Sequence, residues 1–318
     1  MGDKFAVGVD LGATKVLASV VNLSNGKIVS TSKKKTRAGT EGFDLVQRLS
    51  LVIGDALQES GMSTDKISGI GIGAAGMVDR ERGVLLAAAN IGTNDVPICE
   101  PLKNQFGLPV KLGNDVEVAT IGEMTFGAGR NCSNFVCIFV GTGIGSGIVH
   151  GGKLHRGGSG TAGEIGHVVV VPDGLPCGCG GHGCLESYAS RTAVAKSVVY
   201  DLSRGFDSVL RDKVDPAKGI LRSKALAQAL ESKDSVATRA INRAAHYMGL
   251  GLTNVINFYN PARIVMGGGL IEAVPLYLEL AEEEARRRSL RIPARKTEIV
   301  KAELGDFAGT IGAALLLV

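Results

Sequence analysis

Tryptophan is absent from this chain of 318 residues, and aromatic side chains make up only 4% of it. Proteins that hold single-stranded nucleic acid stack bases on such rings, so that class is poorly supplied here. A surplus of one charge is also missing, because 35 Lys and Arg stand against 31 Asp and Glu for a net charge of +4. The one dense basic run, Arg286-Arg287-Arg288, follows Glu282-Glu283-Glu284 at helical spacing, which is the pattern of a solvated helix face and not of a groove for DNA or RNA. Hydrophobic residues reach 45%, yet no uninterrupted apolar run approaches the roughly 18 residues that span a bilayer. With no signal-peptide pattern at its start, the chain reads as cytoplasmic, with neither a membrane nor a nucleic-acid partner. Six cysteines in a chain this long do not make a disulfide scaffold. Two nucleotide fingerprints are missing as well. There is no G-x-x-x-x-G-K-[ST], and the run from Gly141 to Gly147 breaks the G-x-G-x-x-G spacing and leads into a strand.

What is abundant is glycine, 45 residues gathered in short clusters at the ends of apolar runs, where backbone must turn tightly or approach a ligand. Three such turns follow strand-like segments: Asp10-Leu-Gly12-Ala-Thr14-Lys15, Gly141-Thr142-Gly143-Ile-Gly, and Gly267-Gly268-Gly269. Their N–H groups are free to meet phosphate oxygens, although a glycine turn between strands is also ordinary hairpin chemistry. The most concentrated chemistry is elsewhere. His167, Cys177, Cys179 and Cys184 fall within eighteen residues, with glycines between the thiols and no carboxylate from Cys177 to Cys184. Three thiolates and an imidazole suit a tetrahedral zinc ion and leave no position for water, so the metal would be structural. Buried thiols, or one disulfide with a spare cysteine, are the other readings, and His182 is a rival ligand. The loop so held carries Glu164 before its first ligand and Glu186 after its last.

A chain of this length exceeds one ordinary hydrophobic core, which predicts two domains and a ligand site in the cleft between them. Residues 5–10, 16–22 and 27–34 read as an antiparallel meander, 42–60 as a helix, 67–76 as a buried strand, and 109–115 as a strand running into a helix. Residues 134–149 again place two strands about a glycine turn, as 5–22 do, which suggests two similar halves. Helices are expected near 188–204, 222–231, 235–259 and 272–289, a strand at 262–270, and a final helix from Gly305 that packs back on the first half. The predicted domains are 1–118 together with 303–318, and 119–302.

The order DLGATK, GIGAAGMVD, GND, GTGIGSG, E-x-x-H with its zinc cluster, and MGGGL resembles the ROK family of sugar kinases and repressors along nearly the whole chain. The zinc signature is the most selective part of the likeness. The resemblance implies an α/β actin-like ATPase (ribonuclease H-like) fold, two α/β domains with a cleft that closes on sugar and ATP, and a zinc-containing loop. The implied activity is transfer of phosphate from ATP, with Mg²⁺, to the 6-hydroxyl of glucose. Fructose, N-acetylglucosamine and N-acetylmannosamine are alternative acceptors, and ADP or polyphosphate alternative donors. Asp115 would accept the hydroxyl proton, a role weighed against simple helix capping. Asp10 would hold Mg²⁺ through water, with Gly12, Thr14 and Lys15 meeting phosphate. Gly76, Asn90, Asn114, Asp115, Glu164, His167 and Glu186 resemble the hexose-contacting set, while Thr142, Gly143, Gly267 and Gly268 would take the nucleotide. His167 would bind zinc through one ring nitrogen and face sugar with the other. The family also suggests a homodimer or homotetramer. It often carries Trp where this chain has Asn94, which puts the hexose preference in question. A sugar-responsive repressor of the same family is the rival reading, disfavoured because repressors carry a DNA-binding segment before the first glycine turn, which here starts at residue 10.

Overall fold

A computed structural model describes residues 4–36, 42–88, 92–215 and 220–318. The chain divides into two compact units, residues 1–131 with 306–318, and residues 132–305. The first division falls after Asn131, beyond the 118/119 boundary read from the sequence, because the helix Asp115–Phe126 packs along the C-terminal helix Ala308–Ala314 and belongs with it.

In the first unit β1 (Phe5–Leu11), β2 (Lys15–Asn22) and β3 (Ile28–Lys35) form the antiparallel meander. The helix α1 (Gly42–Ser60) follows, and its stripe Leu45, Leu49, Val52, Ile53 and Ala56 is buried on the sheet. Each such side chain contributes about 1.5–3 kcal/mol by leaving water. β4 (Ile67–Ala74) then pairs parallel to β1. A small antiparallel sheet of β5 (Met77–Asp79), β6 (Val84–Ala88) and β7 (Thr93–Pro97) comes next, followed by α2 (Cys99–Phe106). β8 (Val110–Asn114) joins parallel to β4 and runs directly into α3 (Asp115–Phe126), completing the order β3-β2-β1-β4-β8. The inner strands β1 and β4 are apolar almost throughout because both faces are covered. One cover is the C-terminal helix, which lies so close that a Cβ on Gly8 or Gly71 would stand 1.8 Å from the carbonyl oxygen of Thr310 or Ala313.

The second unit repeats this plan. β9 (Phe135–Val140), β10 (Ile144–His150) and β11 (Lys153–His155) are antiparallel. The metal-type loop, α4 (Glu186–Ala189) and α5 (Arg191–Ser203) follow, then a short pair β12 (Val214–Asp215) and β13 (Ile220–Leu221), α6 (Ser223–Glu231) and α7 (Ser235–Phe258). β14 (Arg263–Gly267) lies parallel to β9; after α8 (Gly269–Ala273), α9 (Pro275–Arg288) and α10 (Arg291–Lys296), β15 (Glu298–Lys301) lies parallel to β14. The order β11-β10-β9-β14-β15 has the same directions, strand for strand, as the first sheet. Each unit therefore ends its inner parallel strands on one edge, with a glycine turn between its first two strands at that edge, which is where open α/β sheets bind ligands.

Candidate active site

At the carboxyl edge of the first sheet, Leu11, Ala74 and Asn114 are in register across β1, β4 and β8. This places Asp10 one residue short of the edge and Asp115 one residue past it. Asn114 caps α3: its Oδ1 accepts from the N–H groups of Val116 and Glu117 at 2.9 and 3.2 Å. Its amide donates to Gly76 O at 3.2 Å. The capping weighed for Asp115 thus falls to Asn114, and one amide N–H of Asn114 is left for a ligand. Asp115 stands at the first helical position of α3.

Asp10 is only partly exposed and is shifted strongly. Burial first, and the neighbouring Asp115 carboxylate second, push it up to about 7, against the opposing pull of Lys15. Lys15 pairs with Asp306 at 3.3 Å. Burial and the nearby Asp115 carboxylate concentrate negative charge at Asp10, the chemistry that suits a hard divalent cation. Gly12 closes the first turn by donating to Lys15 O at 3.0 Å, and Thr14 is exposed beside it. Asn90 lies outside the described residues. Asn94, where the family often has Trp, is exposed on β7.

In the second unit the four predicted ligands converge. Nδ1 of His167 and the sulfurs of Cys177, Cys179 and Cys184 all lie within 4.8 Å of one another. His167 Nδ1 stands 3.7 Å from Cys177 Sγ, and Cys179 Sγ 3.8 Å from Cys184 Sγ. Ligands about 2.3 Å from a tetrahedral zinc ion stand about 3.8 Å apart, so the residues fit that metal. His182 is not in the group. Hydrogen bonding from Gly181 draws the Cys179 thiol below its ordinary range, while burial pushes Cys184 up to about 12. A bound dication would hold both as thiolates. The other ring nitrogen of His167, Nε2, lies 3.9 Å from the exposed Glu164 carboxylate. The loop is anchored by Tyr188, whose hydroxyl accepts from Leu175 N at 2.6 Å while its ring packs 4.4 Å from that of Tyr247 on α7.

Glu186, two residues beyond the last thiol, turns toward the second glycine turn and accepts from Ile144 N at 2.8 Å. A Cβ on Gly143 would lie 2.3 Å from the same carboxylate oxygen. Thr142 is exposed, and its carbonyl accepts from Thr192 Oγ1 at 2.7 Å. Gly268, at φ 94°, sets the third turn against β9, because a Cβ there would be 2.6 Å from Val140 N and O. Gly267 is similarly confined by Phe139 and Ala302. A separate cavity of about 440 Å³, lined by Asn134, His150, Tyr259 and Lys296 among others, opens at the amino edge of this sheet, away from the second and third turns.

The ROK family profile matches residues 6–318. This chain belongs to the ROK family. It is 34% identical to the glucokinase of Halalkalibacterium halodurans over the whole chain and 96% of that protein. A solved ROK family glucokinase from Streptomyces griseus, in complex with glucose and AMPPNP, superposes with a TM-score of 0.85 at 35% identity, covering 98% of each chain. A solved ROK family transcriptional regulator, a homologue of the E. coli MLC protein, also gives 0.85, at 27% identity over 99% of this chain and 78% of that one. The fold is accordingly the actin-like ATPase fold of ROK structures, and among the described residues no helix is long and apolar enough to cross a membrane. Sequence reasoning passed over Asp306 and the bond from Glu186 to Ile144. Asp306 lies 291 positions from its partner Lys15, with no local pattern to join them. An acid following a cysteine loop, near a turn that lacks side chains, was the available hint for Glu186.

Proposed function

We propose that this ROK protein is a sugar kinase that transfers the γ-phosphoryl group of ATP to the 6-hydroxyl of glucose. The observation that carries the reading is the carboxylate pair at the edge of the first sheet. Asp115 is held at the start of α3 by a cap that a different residue supplies, and it is near enough to Asp10 to raise that residue's pKa. Asp115 would take the hydroxyl proton as the sugar oxygen attacks phosphorus. Asp10, through water, would hold the magnesium ion, whose charge offsets that developing on the phosphoryl oxygens. Gly12, Thr14 and Lys15 would bind phosphate, with Asp306 fixing the Lys15 ammonium. Gly76 and Asn114 would meet sugar hydroxyls, as would Asn90.

From the second unit, Glu164, His167 and Glu186 would supply further hydroxyl contacts, and Thr142, Gly143, Gly267 and Gly268 would take the nucleotide. His167, Cys177, Cys179 and Cys184 would hold a zinc ion that fixes the loop and contributes no open coordination position. The kinase reading draws on glucokinase relatives at 34–35% identity, against 27% for the solved regulator. Steady-state assays of glucose, fructose, N-acetylglucosamine and N-acetylmannosamine, each with ATP, ADP and polyphosphate, test it. The highest kcat/KM is expected for glucose with ATP. A tenfold preference for another sugar would overturn the choice of glucose, and no transfer to any of them would overturn the kinase.

A further inference from the structure

Arg191 is a cation that the fold leaves unmatched. It is the first residue of α5, and its backbone N–H donates to Gly141 O at 3.0 Å. The next residue, Thr192, bonds the carbonyl of Thr142. The start of α5 is thereby fastened to the second glycine turn at two successive carbonyls. From there the guanidinium reaches the third glycine turn, where Nη1 lies 4.0 Å from the position a Cβ would take on Gly269. That turn is itself pressed on the backbone of Val140, the last residue of β9, so the guanidinium stands where the two turns come together.

Its neighbours in the same unit behave differently. Arg263, Arg286, Arg287 and Arg288 each grip a glutamate. The Arg191 guanidinium has no carboxylate and no hydrogen-bond acceptor among the described residues. It is also half-buried, and loss of hydration alone lowers its basicity. A partly desolvated guanidinium with five unmatched donors costs stability unless an anion meets it. The planar fork suits paired oxygens of a phosphate, the same ligand that the N–H groups of the flanking turns are suited to meet.

We propose that Arg191 is a phosphate-binding residue of this chain, gripping the phosphate chain of the donor nucleotide between the second and third glycine turns. The inference rests on the reading of those turns as the donor site. It assigns Arg191 to nucleotide affinity and not to the proton transfer. An arginine is required there more than a positive charge, since a lysine ammonium cannot present two parallel donors.

Calorimetric titration of MgADP, MgATP, adenosine and glucose into wild-type protein and into Arg191→Gln and Arg191→Lys tests it, alongside KM for ATP. Loss of a charge-assisted contact is expected to weaken MgADP and MgATP by about 10- to 100-fold in Arg191→Gln, with a smaller loss in Arg191→Lys. Adenosine and glucose should bind as in wild type, KM for ATP should rise in parallel, and melting temperature in the nucleotide-free state should not fall. If Arg191→Gln fails to fold, Arg191→Lys alone carries the comparison. MgADP affinity within twofold of wild type in the variants that fold overturns the proposal, as does an equal loss of adenosine binding, which would put the contact on the nucleoside. Wild-type protein that binds neither MgADP nor MgATP would instead refute the donor site itself.

Discussion

Replacing Asp10 by Asn should stabilise the magnesium-free protein in alkali while destroying its activity. In the folded chain burial and the Asp115 charge lift the Asp10 carboxyl from 3.8 to about 7. Folded protein therefore carries one more proton at this site than unfolded protein between about pH 4 and pH 7, and stability must fall as pH rises through that window. Below it both states are protonated, and above it the full cost of a desolvated carboxylate is felt. A displacement from 3.8 to about 7 corresponds to roughly 4 kcal/mol at about 1.4 kcal/mol per tenfold. Because Asp10 keeps some contact with water, about 2–3 kcal/mol is the expected loss. Asn is neutral throughout, so the variant should match wild type near pH 3 and exceed it by about 2–3 kcal/mol at pH 8. Urea unfolding followed by circular dichroism, without added magnesium, measures this at each pH. Asp115→Asn should remove a smaller part of the same slope, since its charge is the second cause and not the first. Parallel stability curves for wild type and Asp10→Asn, or a variant weaker at pH 8, would refute the reasoning.

Asp115→Asn is expected to lower kcat by about 10²- to 10⁴-fold with sugar and nucleotide affinities retained, read from steady-state kinetics and titration. Turnover above half that of wild type would remove Asp115 from the role of base. Purified protein should carry about one zinc per chain by elemental analysis. Cys177→Ser or Cys184→Ser should release it and lower the melting temperature. Because Glu186 joins the loop to Ile144 N, both variants should weaken nucleotide as well as sugar.

The sequence told most where chemistry and periodicity coincide locally. The meander around DLGATK, the strand that ends in Asn114, and the long helix Ser235–Phe258 all follow from apolar patterning with glycine or proline punctuation. The convergence of His167 with the three thiols was legible because metal-type spacing is short and built from few residue types. The duplicated sheet was only half visible. β9 and β10 repeat β1 and β2 around a glycine turn, but β15 is a four-residue strand after three helices and has no signature of its own. The small sheet β5–β7 leaves no mark in the sequence pattern, since strands of three to five residues fall below any periodic signal. The predicted helix 272–289 breaks at Pro275, which starts α9 after the short α8. Long-range partners were beyond reach: Asp306 with Lys15, or Arg191 between two turns, depends on sheet order and helix placement, which one-dimensional patterns do not encode.

The central claim is that this chain moves phosphate from ATP to O6 of glucose using Asp115. Phosphorus and carbon-13 NMR of a mixture of wild-type protein, MgATP and uniformly labelled glucose tests it most directly. The expected spectrum shows glucose 6-phosphate and ADP growing in equal amounts, with carbon 6 split by phosphorus, and no product with Asp115→Asn over the same time. ATP left intact in the presence of folded wild-type protein and glucose, or phosphate appearing on a different carbon, would contradict it.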